Sequence, residues 1–147
     1  MRRFAPHLLL IGLTLALTAC GPTISRFNAR AYEQATALKV EARSLMDQAT
    51  TPYSQHREDV QALKTELQKA YEFARGRPKN KISAQQWKIL IDPERDLLGG
   101  FLRDWQERST LPSAFVKEKK AQVSEAFDTI IELESGKLSP DAVRAGS

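Results

Sequence analysis

Between Arg26 and Ala49, the residues Ala31, Ala35, Leu38, Ala42, Leu45 and Ala49 recur at alternating steps of four and three. Only a helix gathers positions so spaced on one side, so the segment reads as an amphipathic helix with a single buried stripe. The stripe is thin and rich in alanine, which lets a neighbouring helix approach closely. Thr51-Pro52 interrupts it, and Val60, Leu63, Leu67, Ala70 and Ala74 then repeat the same spacing. Two stripes of about three heptads each, joined by a short connection, predict an antiparallel helical hairpin rather than a long coiled coil. Thr51 is the expected N-cap of the second helix, with Pro52 in its first turn. Gly76 is the expected left-handed stop, enforced by Pro78. Tyr71 and Phe73 lie beside the seam and are expected to meet the remaining helices.

Downstream, Ser83-Ala84-Gln85-Gln86 matches a capping box and predicts a short helix to Ile91. Asp92-Pro93 resets that helix, with Asp92 as cap and Pro93 in the first helical position, and the third helix continues to about Arg108. Leu97, Leu98, Phe101, Leu102 and Trp105 share one face. Gly99 and Gly100 cost ~1 kcal/mol each relative to alanine, so they mark close packing or a local kink. Leu111-Pro112-Ser113 breaks the chain again. A fourth helix from about Ser113 to Glu134 turns Val116, Val123, Phe127 and Ile130 inward, and Gly136 ends it. Strict alternation is missing and β-branched runs are few, so strands are not expected. The 147 residues, 41% of them hydrophobic, suffice for one modest core. The expected fold is all-α: a small helical bundle of about four helices with one broken helix.

The N-terminus is an address. Met1 to Arg3 is basic, Leu8 to Leu17 (LLLIGLTLAL) is an apolar run of ten, and small residues lead to Cys20. This is the layout of a secretory leader, and the run is well short of the ~20 residues that span a bilayer. Leu17-Thr18-Ala19-Cys20 resembles the lipobox of bacterial lipoproteins. That resemblance covers residues 1–20. It implies that the Cys20 thiol takes a diacylglycerol, that cleavage falls just before Cys20, and that the freed amine is acylated. More than one acyl chain, at ~0.8 kcal/mol per buried methylene, makes a stable anchor. Gly21 stands where lipoproteins held at the inner membrane commonly carry Asp. In a host with two membranes, the resemblance therefore implies the periplasmic face of the outer membrane. The expected organisation is a signal peptide at 1–19, a lipidated tether at 20–25, a helical domain at 26–135 and a mobile tail at 136–147.

Charge narrows the partners. The chain has 22 Lys+Arg and 18 Asp+Glu, and loss of Arg2 and Arg3 with the leader leaves 20 against 18, a formal charge of +2. The sequence pI of about 9.3 therefore overstates any case for nucleic acid, and an envelope address argues against it as well. One cysteine excludes an intramolecular disulfide framework and a cysteine-based zinc site, and His7 and His56 are too few for an ordinary transition-metal centre. No cofactor or metal is expected. His56, among Gln55, Arg57, Glu58 and Asp59, reads as a solvated helix residue rather than a catalytic one.

Asp92, Glu94 and Asp96 are the densest acidic cluster. Paired carboxylates can hydrolyse glycosides, but Asp92 and Glu94 already suit a helix N-terminus, whose dipole favours negative charge. No catalytic residue is assigned. The basic residues Arg75, Arg77, Lys79, Lys81 and Lys88 occur with no acid between Glu72 and Asp92. They predict either an exposed lobe that meets anionic head groups or an acidic partner patch, or an ordinary solvated loop. Trp87, beside that lobe, is the candidate aromatic contact, whereas Trp105 and Phe101 read as core, and Tyr53 raises the same question. The expected function is a non-catalytic binding or scaffolding lipoprotein that engages another envelope protein. Its architecture resembles that of secretion-system pilotins, small lipoproteins that hold a segment of an outer-membrane secretin. The likeness carries no signature motif, and the chain lacks the paired cysteines of some pilotins. The alternative is an enzyme or ligand binder acting on peptidoglycan or lipid.

Overall fold

A computed structural model describes residues 27–138 and Val143. The leader, Cys20, the tether and most of the tail beyond Leu138 lie outside the described residues. The domain is an all-α bundle. Its helices are α1 (Ala29–Asp47), α2 (Arg57–Gly76), α3 (Lys81–Ile91), α4 (Leu98–Arg108) and α5 (Ser113–Ser135). The third helix expected to be broken at Asp92 is two helices, α3 and α4, separated by the turn at 92–97.

α1 starts where the Asn28 side chain accepts the Ala31 N–H at 2.9 Å, satisfying one of the donors that every helix start leaves open. Its five seam residues from Ala31 to Leu45 are buried, as are Ala49 just beyond its end and the five of α2. The connection between them is built otherwise than expected. Thr51 closes a short 3-10 turn at Gln48–Thr50, a second such turn spans Tyr53–Gln55, and α2 begins at Arg57 with His56 as its N-cap residue. The Thr51 hydroxyl donates back to Gln48 O, so it serves the end of the first helix, not the start of the second.

α1 packs beside α2 and α5, and α3 packs beside α2 and α5, which closes four helices around one core. Phe127 and Ile130 of α5 and Leu63 of α2 are fully buried there. α4 covers one end. Trp105 is buried and donates its indole N–H to Thr51 O at 3.0 Å, with Tyr53 meeting it edge-on and the His56 ring 5.4 Å away. At the same end, Tyr53 N–H donates to Ser109 O and Leu111 N–H to Ala49 O, both at 2.8 Å, so the α1–α2 and α4–α5 connections are laced together.

The α4 glycines pack closely. A methyl at Gly99 would run into the Ile91 and Asp92 carbonyls, and one at Gly100 into the Arg95 carbonyl. Gly136 takes φ +74° and closes α5, with Lys137 N–H donating to Glu132 O at 3.0 Å. Gly76, by contrast, is the last residue of α2, and the positive φ in the following turn belongs to Lys79 at 57°.

Candidate functional site

The basic stretch divides into parts with different tasks. Arg77 folds into the far end of the bundle, its side chain 11% exposed, and pairs through Nη1 with the Glu134 carboxylate of α5, itself 1% exposed. Ser83 donates its hydroxyl to the same carboxylate, and Asn80 Nδ2 donates to it at 3.2 Å and to Ala74 O at 3.1 Å. This clasp joins the end of α2, the start of α3 and the end of α5. It corrects two expectations. Arg77 is not an exposed lobe charge, and Ser83 is not an N-cap: it lies buried inside α3, where its hydroxyl serves a distant carboxylate. Trp87 is corrected too. It is 3% exposed and packs edge-on against Phe127, so it belongs to the core.

Arg75 is exposed, pairs with Glu72 at 2.6 Å and lies over the Tyr71 ring. Lys79 and Lys81 are exposed on the turn and at the start of α3, without an ion pair among the described residues. Phe73 carries Arg30 of α1 on its ring at 5.1 Å and Arg77 at 5.9 Å, so the start of α1 and the basic turn share one end of the bundle. Phe27, 60% exposed and in contact with Tyr32, stands at that end as well. Lys88 lies further along α3, apart from this group.

The acidic cluster is similarly dispersed in its roles. Asp92 Oδ1 accepts the Glu94 N–H at 2.9 Å and so shapes the turn, not a helix start, because α4 begins six residues later at Leu98. Asp96 pairs at 2.5 Å with Lys119, a buried lysine of α5 that also lies over Phe115. The carboxylate of Asp96 therefore ties the turn to α5.

A larger feature was not legible in the spacing. Along α1, beside the buried stripe, Tyr32, Thr36, Ala37, Val40 and Ser44 form a second, shallower stripe that faces Asp59 and Ala62 of α2 across a groove of about 1030 Å³. Val40 is 65% exposed and Tyr32 38%. Glu33, Glu41 and Asp59 border the groove, and no lysine or arginine among the described residues lines it. His56 closes one end, its Nε2 2.7 Å from Thr51 Oγ1. From Tyr32 to Gln48 the groove runs along about 24 Å of helix. Small side chains, apolar ridges and an acidic border can seat an amphipathic helix with basic flanks. Neither a family model, a curated protein nor a solved structure matches the chain.

Proposed function

We propose that the chain is a lipid-anchored envelope protein, attached through Cys20, whose helical domain is a non-catalytic binding or scaffolding module. The observation that carries this reading is the α1/α2 groove, apolar along its length and acidic at its border. Its occupant is a helix of another envelope protein, with small apolar residues on one face and Lys or Arg beside them. In a narrower version that segment belongs to an outer-membrane secretin, as the architectural likeness to pilotins implies. The anchor complements the groove. Cys20 precedes Phe27 by seven residues, a reach of at most about 25 Å. The bundle end that carries Phe27, Lys79 and Lys81 would then lie toward the head groups, where cations near an anionic leaflet contribute ~1 kcal/mol each.

The test is a photo-crosslinking residue at position 40 in the lipidated protein in intact cells, followed by sequencing of the captured peptide. The expected product is one dominant envelope protein joined through a basic amphipathic segment. Val40→Lys and Ala37→Trp, both on the exposed stripe, should prevent capture from a crosslinker at position 44 while leaving the helical signal intact. Capture of only a second copy, glycan or lipid, or capture unaffected by both variants, would remove the groove from the account.

A further inference from the structure

On the other flank of the α2 buried stripe lies a second concavity, about 620 Å³, between α2, the end of α3 and α4. Its floor is apolar, formed by the buried Leu67 and Leu102 and the half-buried Ile91. Its rim is cationic. Among the described residues, Lys64 of α2, Lys88 of α3 and Arg103 of α4 line it against one carboxylate, Asp92, whose Oδ1 already accepts the Glu94 N–H.

The three cations are not equivalent. Arg103 is fixed by its own surroundings: Nη1 donates to Pro93 O at 2.6 Å, and Nε and Nη2 donate to Asp104 at 3.2 and 2.9 Å. The hydrogen bonds it donates to the Asp104 carboxylate hold its guanidinium above the usual arginine value. Lys64, half-buried, and Lys88, exposed, make no hydrogen bond or ion pair among the described residues. The other buried or half-buried lysines among the described residues are answered by acids, Lys39 by Asp128, Lys119 by Asp96 and Lys120 by Asp47, which sets Lys64 apart. Two unanswered ammoniums over an apolar floor suit a ligand that brings its own anion and its own apolar surface.

We propose that this cleft binds an amphiphile with a phosphate-monoester head, the head held by Lys64 and Lys88 and the apolar portion lying on Leu67, Ile91 and Leu102. A phosphate monoester carries about −1.5 to −2 charge near neutrality, which matches two ammoniums. Arg103, already oriented, adds field without having to be ordered. The cleft shares only α2 with the α1/α2 groove, so this reading and the partner-helix reading stand or fall separately.

The test uses the full lipidated chain in a neutral maltoside detergent, with the Gly99 amide and Ile91 methyl followed by NMR. The probes are palmitoyl lysophosphatidic acid, inorganic phosphate and palmitoyl lysophosphatidylcholine. Saturable shifts at both positions are expected with lysophosphatidic acid. Binding should be at least tenfold weaker for the other two probes, which lack the tail or the net charge of the head. Lys64→Gln combined with Lys88→Gln should weaken lysophosphatidic acid at least tenfold. Gln106→Glu, which adds an acid to the rim without touching the floor, should weaken it in the same direction, whereas Lys79→Gln with Lys81→Gln should not. Equal binding of inorganic phosphate would show a bare anion site and overturn the amphiphile. Equal binding of lysophosphatidylcholine, unchanged affinity in both rim variants, or shifts confined to other parts of the bundle would overturn the cleft altogether.

Discussion

Glu134 shows how much a single side chain can hold when its partners come from three elements. Its carboxylate receives Arg77, Ser83 and Asn80 at the far end of the bundle, almost without solvent. Removing one member of a buried ionic cluster commonly costs 3–5 kcal/mol, because the remaining polar groups lose a partner where water does not replace it. Glu134→Ala should therefore lower the stability measured by urea unfolding by about 3 kcal/mol. Glu134→Gln, which keeps an acceptor oxygen, should lower it less. A neutral Glu134→Ala would mean that the clasp does not hold the three elements. Trp87 gives a second prediction at this scale. With its ring against Phe127 in the core, Trp87→Ala should cost about 3–5 kcal/mol through transfer and cavity terms. A full-strength fold with selective loss of partner capture would instead restore it as a contact residue. Neither role was readable from neighbours in sequence. Ser83 fits a capping box and Trp87 sits among polar residues, yet burial is set by the azimuth of α3 against α5, which no local pattern specifies.

At the scale of elements, the glycines separate what a breaker signals from what it does. Gly76 closes α2 without left-handed backbone, and a Cβ there meets nothing within 4 Å. Gly76→Ala should be neutral or stabilising by up to about 1 kcal/mol, since alanine is the better helix former. Gly99 and Gly100 sit in a helix too, but a methyl on either would strike backbone carbonyls of the preceding turn. Gly99→Ala and Gly100→Ala should each cost about 1–3 kcal/mol, as overpacking does, despite the gain in propensity. Thermal melts followed by circular dichroism compare all three substitutions. Equal effects at positions 76 and 99 would contradict the packing account. Propensity alone assigns these glycines the same penalty. The difference comes from the fold of the 92–97 turn back onto the start of α4, where Asp92 caps Glu94 rather than a helix. The same reasoning explains why α2 starts five residues after Pro52. The chain first makes two short 3-10 turns that let Trp105 dock on Thr51 O.

For the whole molecule, the arrangement of charge is the feature with consequences. α2 stands between an acidic groove on one flank of its buried stripe and a cationic cleft on the other, while exposed Lys79 and Lys81 mark the end where α1 begins. If that end faces the bilayer, a fluorophore at position 79 in the lipidated protein should be quenched by head-group nitroxides in anionic vesicles. One at position 110, near the α4-covered end, should not. Equal quenching at both positions, or quenching at position 110 alone, would refute this orientation. The sequence by itself determined the helices, their approximate order and their buried stripes, because a 3.6-residue period is a local property and the seams of α1, α2 and α5 all turned inward. The resemblance of Leu17-Thr18-Ala19-Cys20 to a lipobox lies in residues 1–20, outside those the structure describes. Tertiary packing alone decided that Trp87 is core, that Arg77 and Glu134 meet across 57 residues of chain, and that α1 keeps a second stripe beside an acidic border. Those outcomes depend on which helix lies next to which, and at what rotation. The free energy of burial selects that arrangement from contacts between residues far apart in sequence, which no periodicity along one helix encodes.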